Sequence, residues 1–162
     1  MRSTVALLSA FFVLFAAPPL QAETKSPASM HPTVGDLVIS HIWSRATPPT
    51  AKSGVAYLQI ENKGASDDVL LAASSTVANN TMIHETKITD GVMTMSHVMK
   101  LAIPAGETVK LEPSGLHVML MGLREPLKAT ASYKLTLTFE KAGEITIDVP
   151  VLLPGKTLEH SH

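Results

Sequence analysis

The chain contains no cysteine, no run of basic residues and few aromatic side chains. Without cysteine it has no thiolate that could bind a metal and no residue on which a bacterial lipoprotein is anchored. The missing basic run and an aromatic fraction of 4% exclude a typical nucleic-acid-binding surface. Catalytic motifs are absent from the sequence too: there is no Gly-x-Ser-x-Gly elbow and no Gly-rich phosphate loop. Ile88 stands where a zinc protease motif beginning at His84 needs its second histidine. We therefore expect that the protein is not an enzyme.

Long apolar runs are missing from the sequence after its first two dozen residues. Arg2 gives a positive start, Val5 to Ala17 is almost unbroken apolar sequence, and small residues end at Ala22. This order predicts a secretory signal peptide over residues 1–22 and a periplasmic protein. The alternative is a membrane anchor, but the run is shorter than the ~20 apolar residues that cross a bilayer. We expect no membrane span in the mature chain.

The 140 residues that remain (162 minus 22) carry 12 basic and 14 acidic side chains, a net charge of −2 with histidine neutral. This length is sufficient for one domain with a buried core. The polar, proline-containing stretch over 23–32 predicts a flexible lead-in, and the polar end over 154–162 predicts a mobile tail that contains histidine. The domain itself is expected over 33–153.

Short stretches of alternating or β-branched apolar residues, separated by Gly and Pro, fill this domain. Their spacing of roughly 8–12 residues, without a sustained helical period, predicts an all-β sandwich or barrel. Strands are predicted over residues 37–43, 54–61, 68–73, 81–89, 92–101, 107–111, 116–121, 133–140 and 144–151.

The Asp90-Gly91 pair predicts how two of these strands meet. Asp-Gly favours a two-residue hairpin with a type I′ turn. Thr89 then faces Val92, and the register places Met95 opposite Thr86. Facing residues share one side of the ladder, so one face is expected to carry histidines and methionines from both strands. Its members are Met82, His84, Thr86, Ile88, Met93, Met95, His97 and Met99.

Two histidines and two methionines are separated by ten, twenty-one and one residues: His84, Met95, His117 and Met119. His117 and Met119 point to the same side of a strand, as residues i and i+2 do, and the hairpin places Met95 diagonal to His84. Neutral imidazole and thioether together suit Cu(I), a soft monovalent ion. Each residue also has an ordinary interpretation, because methionine fills irregular cores and a single strand histidine is more often a surface or packed residue. The metal hypothesis therefore depends on all four together.

Four segments around these residues resemble a known family. They are Met82-Ile83-His84-Glu85, Gly91-Val92-Met93-Thr94-Met95, Leu101-Ala102-Ile103-Pro104-Ala105-Gly106 and Gly115-Leu116-His117-Val118-Met119-Leu120-Met121-Gly122-Leu123. With the His-x10-Met-x21-His-x-Met spacing, they resemble the PCuAC family of periplasmic copper chaperones, and the resemblance spans residues 33–152. It implies a cupredoxin-like Greek-key β-fold and one Cu(I) ion bound by His84, Met95, His117 and Met119. It also implies supply of copper to the CuA centre of cytochrome c oxidase, often alongside Sco-type chaperones. Electron transfer through a type 1 copper site is excluded, because that site needs cysteine.

Other histidines and methionines have several possible roles. Met82, Met93, Met99 and Met121 are expected beside the site, as a hydrophobic rim, as core, or as residues that support the ligands. His97 is an alternative ligand for Cu(II). His31 in the lead-in and His160 and His162 in the tail could form a second, weaker Cu(II) site, since imidazole suits Cu(II), although the tail could also be only solvated.

Three functions fit the sequence. The first is a Cu(I) carrier that docks on a partner and hands over the ion. The second is a copper buffer or resistance protein without a dedicated recipient. The third is a metal-free β-sandwich that binds proteins through its methionine face. Stoichiometric Cu(I) binding separates the first two from the third, and transfer to an apo-CuA domain separates the first from the second.

Overall fold

The computed structural model describes residues 31–155, which form eleven β-strands. They are β1 (Thr33–Val34), β2 (Leu37–Arg45), β3 (Ser53–Asn62), β4 (Asp68–Ser75), β5 (Ala78–Thr89), β6 (Val92–His97), β7 (Leu101–Ile103), β8 (Thr108–Leu111), β9 (Leu116–Leu123), β10 (Ser132–Phe139) and β11 (Glu144–Leu152). The expected signal peptide over 1–22, the lead-in up to Met30 and the tail from Lys156, with His160 and His162, lie outside the described residues. No helix within 31–155 is long and apolar enough to cross a membrane.

The strands follow one hydrogen-bonded order, β6-β5-β9-β3-β2-β11-β10-β4-β7, with β1 added beside β2 and β8 beside β3. Neighbouring strands are antiparallel except β11 and β2, which pair in parallel at Val151↔Ser44 and Leu152↔Arg45. Several neighbours are distant in sequence, such as β5 beside β9, so the chain crosses between strands as Greek-key topologies do. The all-β, cupredoxin-like fold predicted from the sequence is confirmed.

A hydrophobic core within residues 31–155 contains side chains from both halves of this strand order. Leu58 of β3 and Val118 of β9 belong to the same buried cluster as Leu70 of β4 and Leu135 of β10. Because side chains alternate along a strand, the neighbours of these core residues point to the opposite face. On β5 the core residues are Ala78 and Ile83, and Ile83 pairs with Val118. The flanking pairs, Met82 with Met119 and His84 with His117, therefore point away from the core.

The hairpin ends earlier than the sequence predicts. The expected strand over 92–101 is divided: β6 stops at His97, and β7 begins at Leu101 on the far edge of the strand order. There Leu101 pairs with Leu70 and Ile103 pairs with Asp68 of β4, and both apolar side chains are buried. Continuing β6 to residue 101 would have left these side chains on an exposed hairpin, so burial favours the break. Met99 consequently lies outside the strand.

Candidate metal site

The hairpin between β5 and β6 has the predicted register. Thr89 pairs with Val92, Thr86 with Met95 and His84 with His97. Asp90 has a φ of 52° and Gly91 a φ of 78°, and positive φ at both central residues is the requirement of a type I′ turn. Turn chemistry therefore sets which face of β6 carries Met95.

Strand β9 completes the arrangement on the other side of β5. His117 pairs with His84 and Met119 pairs with Met82. Directly opposite residues share a face, so β6, β5 and β9 present His97, His84 and His117 in one row. The structure thus brings two of the candidate ligands, His84 and His117, directly opposite each other.

The two methionines of the set lie diagonal to His84 on the same face. Met119 is opposite Met82, two residues before His84, and Met95 is opposite Thr86, two residues after it. Diagonal neighbours on adjacent strands remain within reach of long side chains. The side chain of Met119 is partly buried, whereas that of Met95 is 53% exposed. All four predicted residues are therefore on one face of three adjacent strands, with Met95 on its exposed edge.

His117 is held in one orientation. The residue is only 5% exposed, and Nδ1 lies 3.0 Å from the backbone carbonyl oxygen of Gly115. A carbonyl oxygen only accepts hydrogen bonds, so Nδ1 must donate and carry the proton, which leaves the lone pair on Nε2. Histidines that bind metals commonly have their other ring nitrogen fixed by such a backbone bond. His117 is thus prepared to bind a metal through Nε2.

The surroundings of His84 disfavour its protonated form. Burial lowers the pKa of His84 below its ordinary value of 6.5, and the neighbouring rings of His117 and His97 lower it further. Its Nδ1 is buried and has no hydrogen-bond partner among the described residues. A buried polar atom without a partner is costly, so a ligand at this nitrogen would remove an existing penalty.

The donor set consists of neutral groups. The residues that share this face on β5, β6 and β9 include no carboxylate, and the nearby pair of Glu85 and Lys87 belongs to the other side of β5. Within residues 31–155, no group of three or more His, Cys, Asp or Glu side chains is placed to bind a metal. A metal on this face therefore needs thioether sulfur as well as imidazole, a combination that suits Cu(I) rather than a hard divalent cation.

Two aromatic residues beside the site were not part of the sequence-based prediction. Val55 of β3 pairs with Met119, and Tyr57, two residues further on, faces the same side. Tyr57 pairs in turn with Trp43 of β2, and their rings lie 4.6 Å apart, both buried. Alternation along residues 54–61 could have placed Tyr57 on the side of Val55. It could not have shown that β9 pairs with this strand.

Comparison with known proteins identifies the family of this chain. Residues 37–151 match the family described as "Putative lipoprotein LpqE-like". The chain belongs to the LpqE-like family. A relative named as a putative lipoprotein of Leifsonia xyli subsp. xyli (strain CTCB07) is 35% identical over 116 residues, which are 70% of this chain and 68% of the relative.

Solved structures similar to this member of the LpqE-like family are PCuAC domains, which confirms the resemblance stated above. The apo PCuAC domain from PmoF1 is 28% identical, with a TM-score of 0.66, and the match covers 76% of this chain and 99% of that domain. The copper-bound PCuAC domain from PmoF2 is 27% identical, with a TM-score of 0.65 and coverage of 76% and 98%. The solution structure of CuI-DR1885 from Deinococcus radiodurans is 28% identical, with a TM-score of 0.59 and coverage of 79% and 84%.

Proposed function

We propose that this protein is an exported, periplasmic Cu(I) carrier that binds one ion through His84, Met95, His117 and Met119. The observation that carries the proposal is the common face on which β5, β6 and β9 place these four donors. The fixed Nδ1–H of His117 and the unpartnered Nδ1 of His84 add support, because both leave ring nitrogens available for a ligand. Two of the similar structures are described as containing copper, one of them as Cu(I).

Four neutral ligands suit transient binding. They leave the single charge of Cu(I) uncompensated, and only protonation of histidine competes with the ion. Export is supported by the predicted signal peptide and by the naming of the family and of a relative as lipoproteins. No catalytic step is part of this proposal.

Delivery to a partner is the finer part of the proposal. The β5–β6 hairpin exposes the large apolar side chains of Ile88, Met93 and Met95 on the face that carries the site. Exposed apolar residues in a contiguous group are typical of docking surfaces, and a simple storage protein has no need of one. The proposed recipients are the CuA-bearing subunit of cytochrome c oxidase and Sco-type chaperones. The test is transfer of Cu(I) to an apo-CuA domain: tight binding without transfer would favour the copper buffer.

X-ray absorption of the Cu(I)-loaded chain tests the ligand set directly. We expect two sulfur and two nitrogen neighbours around the ion in the unmodified protein. In Met95→Leu we expect one sulfur fewer and weaker Cu(I) binding with an intact fold, because leucine keeps the bulk of methionine without its sulfur. Met95 is the most exposed of the four, so this loss changes the site without disturbing the core.

The matched control for Met95→Leu is Met93→Leu, which makes the same change on the same face of β6. Met93 pairs with Ile88, one step further from His84. Its replacement should leave both the sulfur count and the Cu(I) affinity unchanged. An unaltered sulfur count in Met95→Leu would remove Met95 from the proposed ligand set.

Copper affinity is expected to depend on pH in a defined direction. Imidazole binds a metal only when it is unprotonated, and an ordinary histidine takes up its proton near pH 6.5. Because the pKa of His84 is held below 6.5, its protonation competes with the ion only in more acidic solution. Competition titrations with a Cu(I) chelator should give a constant affinity between about pH 7.5 and 8. The affinity should fall below pH 6.5, towards about tenfold per pH unit for each histidine protonated. Constant affinity down to pH 5 would contradict ligation by two histidines.

A further inference from the structure

Three imidazoles lie side by side across β6, β5 and β9. The ring centroids of His97 and His84 are 5.8 Å apart, and those of His84 and His117 are 6.0 Å apart. Exposure increases along this row: His117 is buried, His84 is partly buried and His97 is exposed. His97 is not one of the four ligands in the proposed function, yet it stands in the same row at the solvent side.

Both neighbouring pairs have a spacing that fits a shared ion. A metal lies about 2 Å from a bound imidazole nitrogen, which places two ring centroids roughly 5 to 6 Å apart when both rings bind one ion. The pair of His84 with His117 and the pair of His84 with His97 both meet this condition. Within residues 31–155, however, no three His, Cys, Asp or Glu side chains are placed to bind one ion together. His84 therefore belongs to two alternative positions for the ion, one shared with His117 and one shared with His97.

Each position has a methionine beside it. Met119 is diagonal to His84 from the β9 side, next to His117. Met95 is diagonal to His84 from the β6 side, two residues from His97 on the same face. The four ligands of the proposed function surround an inner position, which Met95 borders from the exposed edge. An outer position is surrounded by His84, His97 and Met95.

We propose that His97 is an exit ligand that moves Cu(I) from the inner to the outer position before the ion leaves. This inference rests on the proposed function and concerns how the same site releases its ion. The bonds of the ion to His117 and Met119 break, its bonds to His84 and Met95 remain, and a lone pair on a ring nitrogen of His97 forms a new bond. Copper stays Cu(I), and neither an electron nor a proton is transferred. An acceptor can reach the ion at the exposed outer position, whereas the buried ring of His117 closes the inner one.

The test compares His97→Gln with His41→Gln. His41 is an exposed histidine of β2, four strands away from β6 in the sheet order. The equilibrium affinity for Cu(I), measured by chelator competition, should change less than about threefold in either variant. The rate of Cu(I) transfer to a chelator in stopped flow should fall by about tenfold in His97→Gln alone, which corresponds to about 1.4 kcal/mol in the barrier.

Silver ion gives a second measurement that does not depend on the rate. Ag(I) has the charge of Cu(I) and is diamagnetic, so ¹⁵N signals of the histidine rings report which nitrogens it contacts. We expect large shifts at His84 and His117, with exchange broadening at His97. Unchanged His97 signals together with an unchanged transfer rate in His97→Gln would overturn the exit role and leave the proposed function standing. Absence of shifts at His84 and His117 would overturn the proposed function itself.

Discussion

Replacement of His117 by glutamine is expected to lower the affinity of the chain for Cu(I) by at least about 100-fold while the chain stays folded. Loss of a group that merely orients a metal-bound histidine already costs roughly 10- to 100-fold, so loss of the ligand itself should cost no less. His117 is the best-prepared donor of the set, because its hydrogen bond to the Gly115 carbonyl directs Nε2 away from the backbone. Glutamine has a similar length but offers an amide in place of an imidazole lone pair.

The fold of this variant can be followed independently of copper. Trp43 is the only tryptophan of the chain and is buried against Tyr57, so its emission reports unfolding. His117→Gln loses one hydrogen bond, and we expect the free energy of unfolding to fall by about 1 kcal/mol. His41→Gln is the control and should bind Cu(I) as the unmodified chain does. If His117→Gln retains full affinity in a chelator competition, His117 is not a ligand.

The face of the β5–β6 hairpin that carries Met95 was predictable because a local signal, the turn sequence, determines it. Asp90-Gly91 determines the turn, the turn determines the register, and the register places Met95 on the side of His84. A shift by one residue would have put Met95 on the opposite face. This prediction needed no information from distant parts of the chain.

The partner of β5 on its other side could not be predicted in this way. His84 meets His117 because β9 pairs with β5, although thirty-two residues lie between them in the sequence. No turn links these strands, so local residues do not determine their register. The spacing pattern shared with the PCuAC family suggested the contact, and the pairing of Ile83 with Val118 in the core explains it physically. The end of β6 at His97 was missed for the same reason, since burial of Leu101 against β4 decides it.

A replacement far from the candidate site should show the opposite result: Asp68→Ala is expected to destabilise the fold by about 2–4 kcal/mol without changing Cu(I) affinity. Asp68 begins β4 and is only 5% exposed. Its carboxylate accepts hydrogen bonds from the backbone N–H groups of Val69, Lys141 and Ala142, at 2.7, 3.0 and 2.9 Å. The residues at 141 and 142 lie in the turn between β10 and β11, so one side chain joins that turn to β4. Alanine would leave all three donors without this acceptor.

Adjacent Asp67 provides the matched control for this measurement. Its side chain accepts one exposed hydrogen bond, from the backbone N–H of Ala105, so Asp67→Ala should cost about 1 kcal/mol or less. Urea unfolding followed by Trp43 emission compares the two variants with the unmodified chain. Equal losses in both variants would show that the three bonds of Asp68 have no special importance. A change in Cu(I) affinity would show that β4 influences the metal face.

The effect of Asp68 should also depend on pH, with a sign that follows from its pKa. Burial raises the pKa of Asp68, but the backbone N–H groups of Lys141, Val69 and Ala142 lower it by more, so it lies below 3.8 in the folded chain. The unfolded chain therefore takes up this proton first as the pH falls. The contribution of Asp68 is complete above the unfolded pKa and is lost as the pH falls through the lower folded value. The stabilities of Asp68→Ala and the unmodified chain should accordingly differ most at neutral pH and approach each other below pH 3.8. A difference that stays constant into strong acid would mean that the carboxylate charge is not what stabilises this junction.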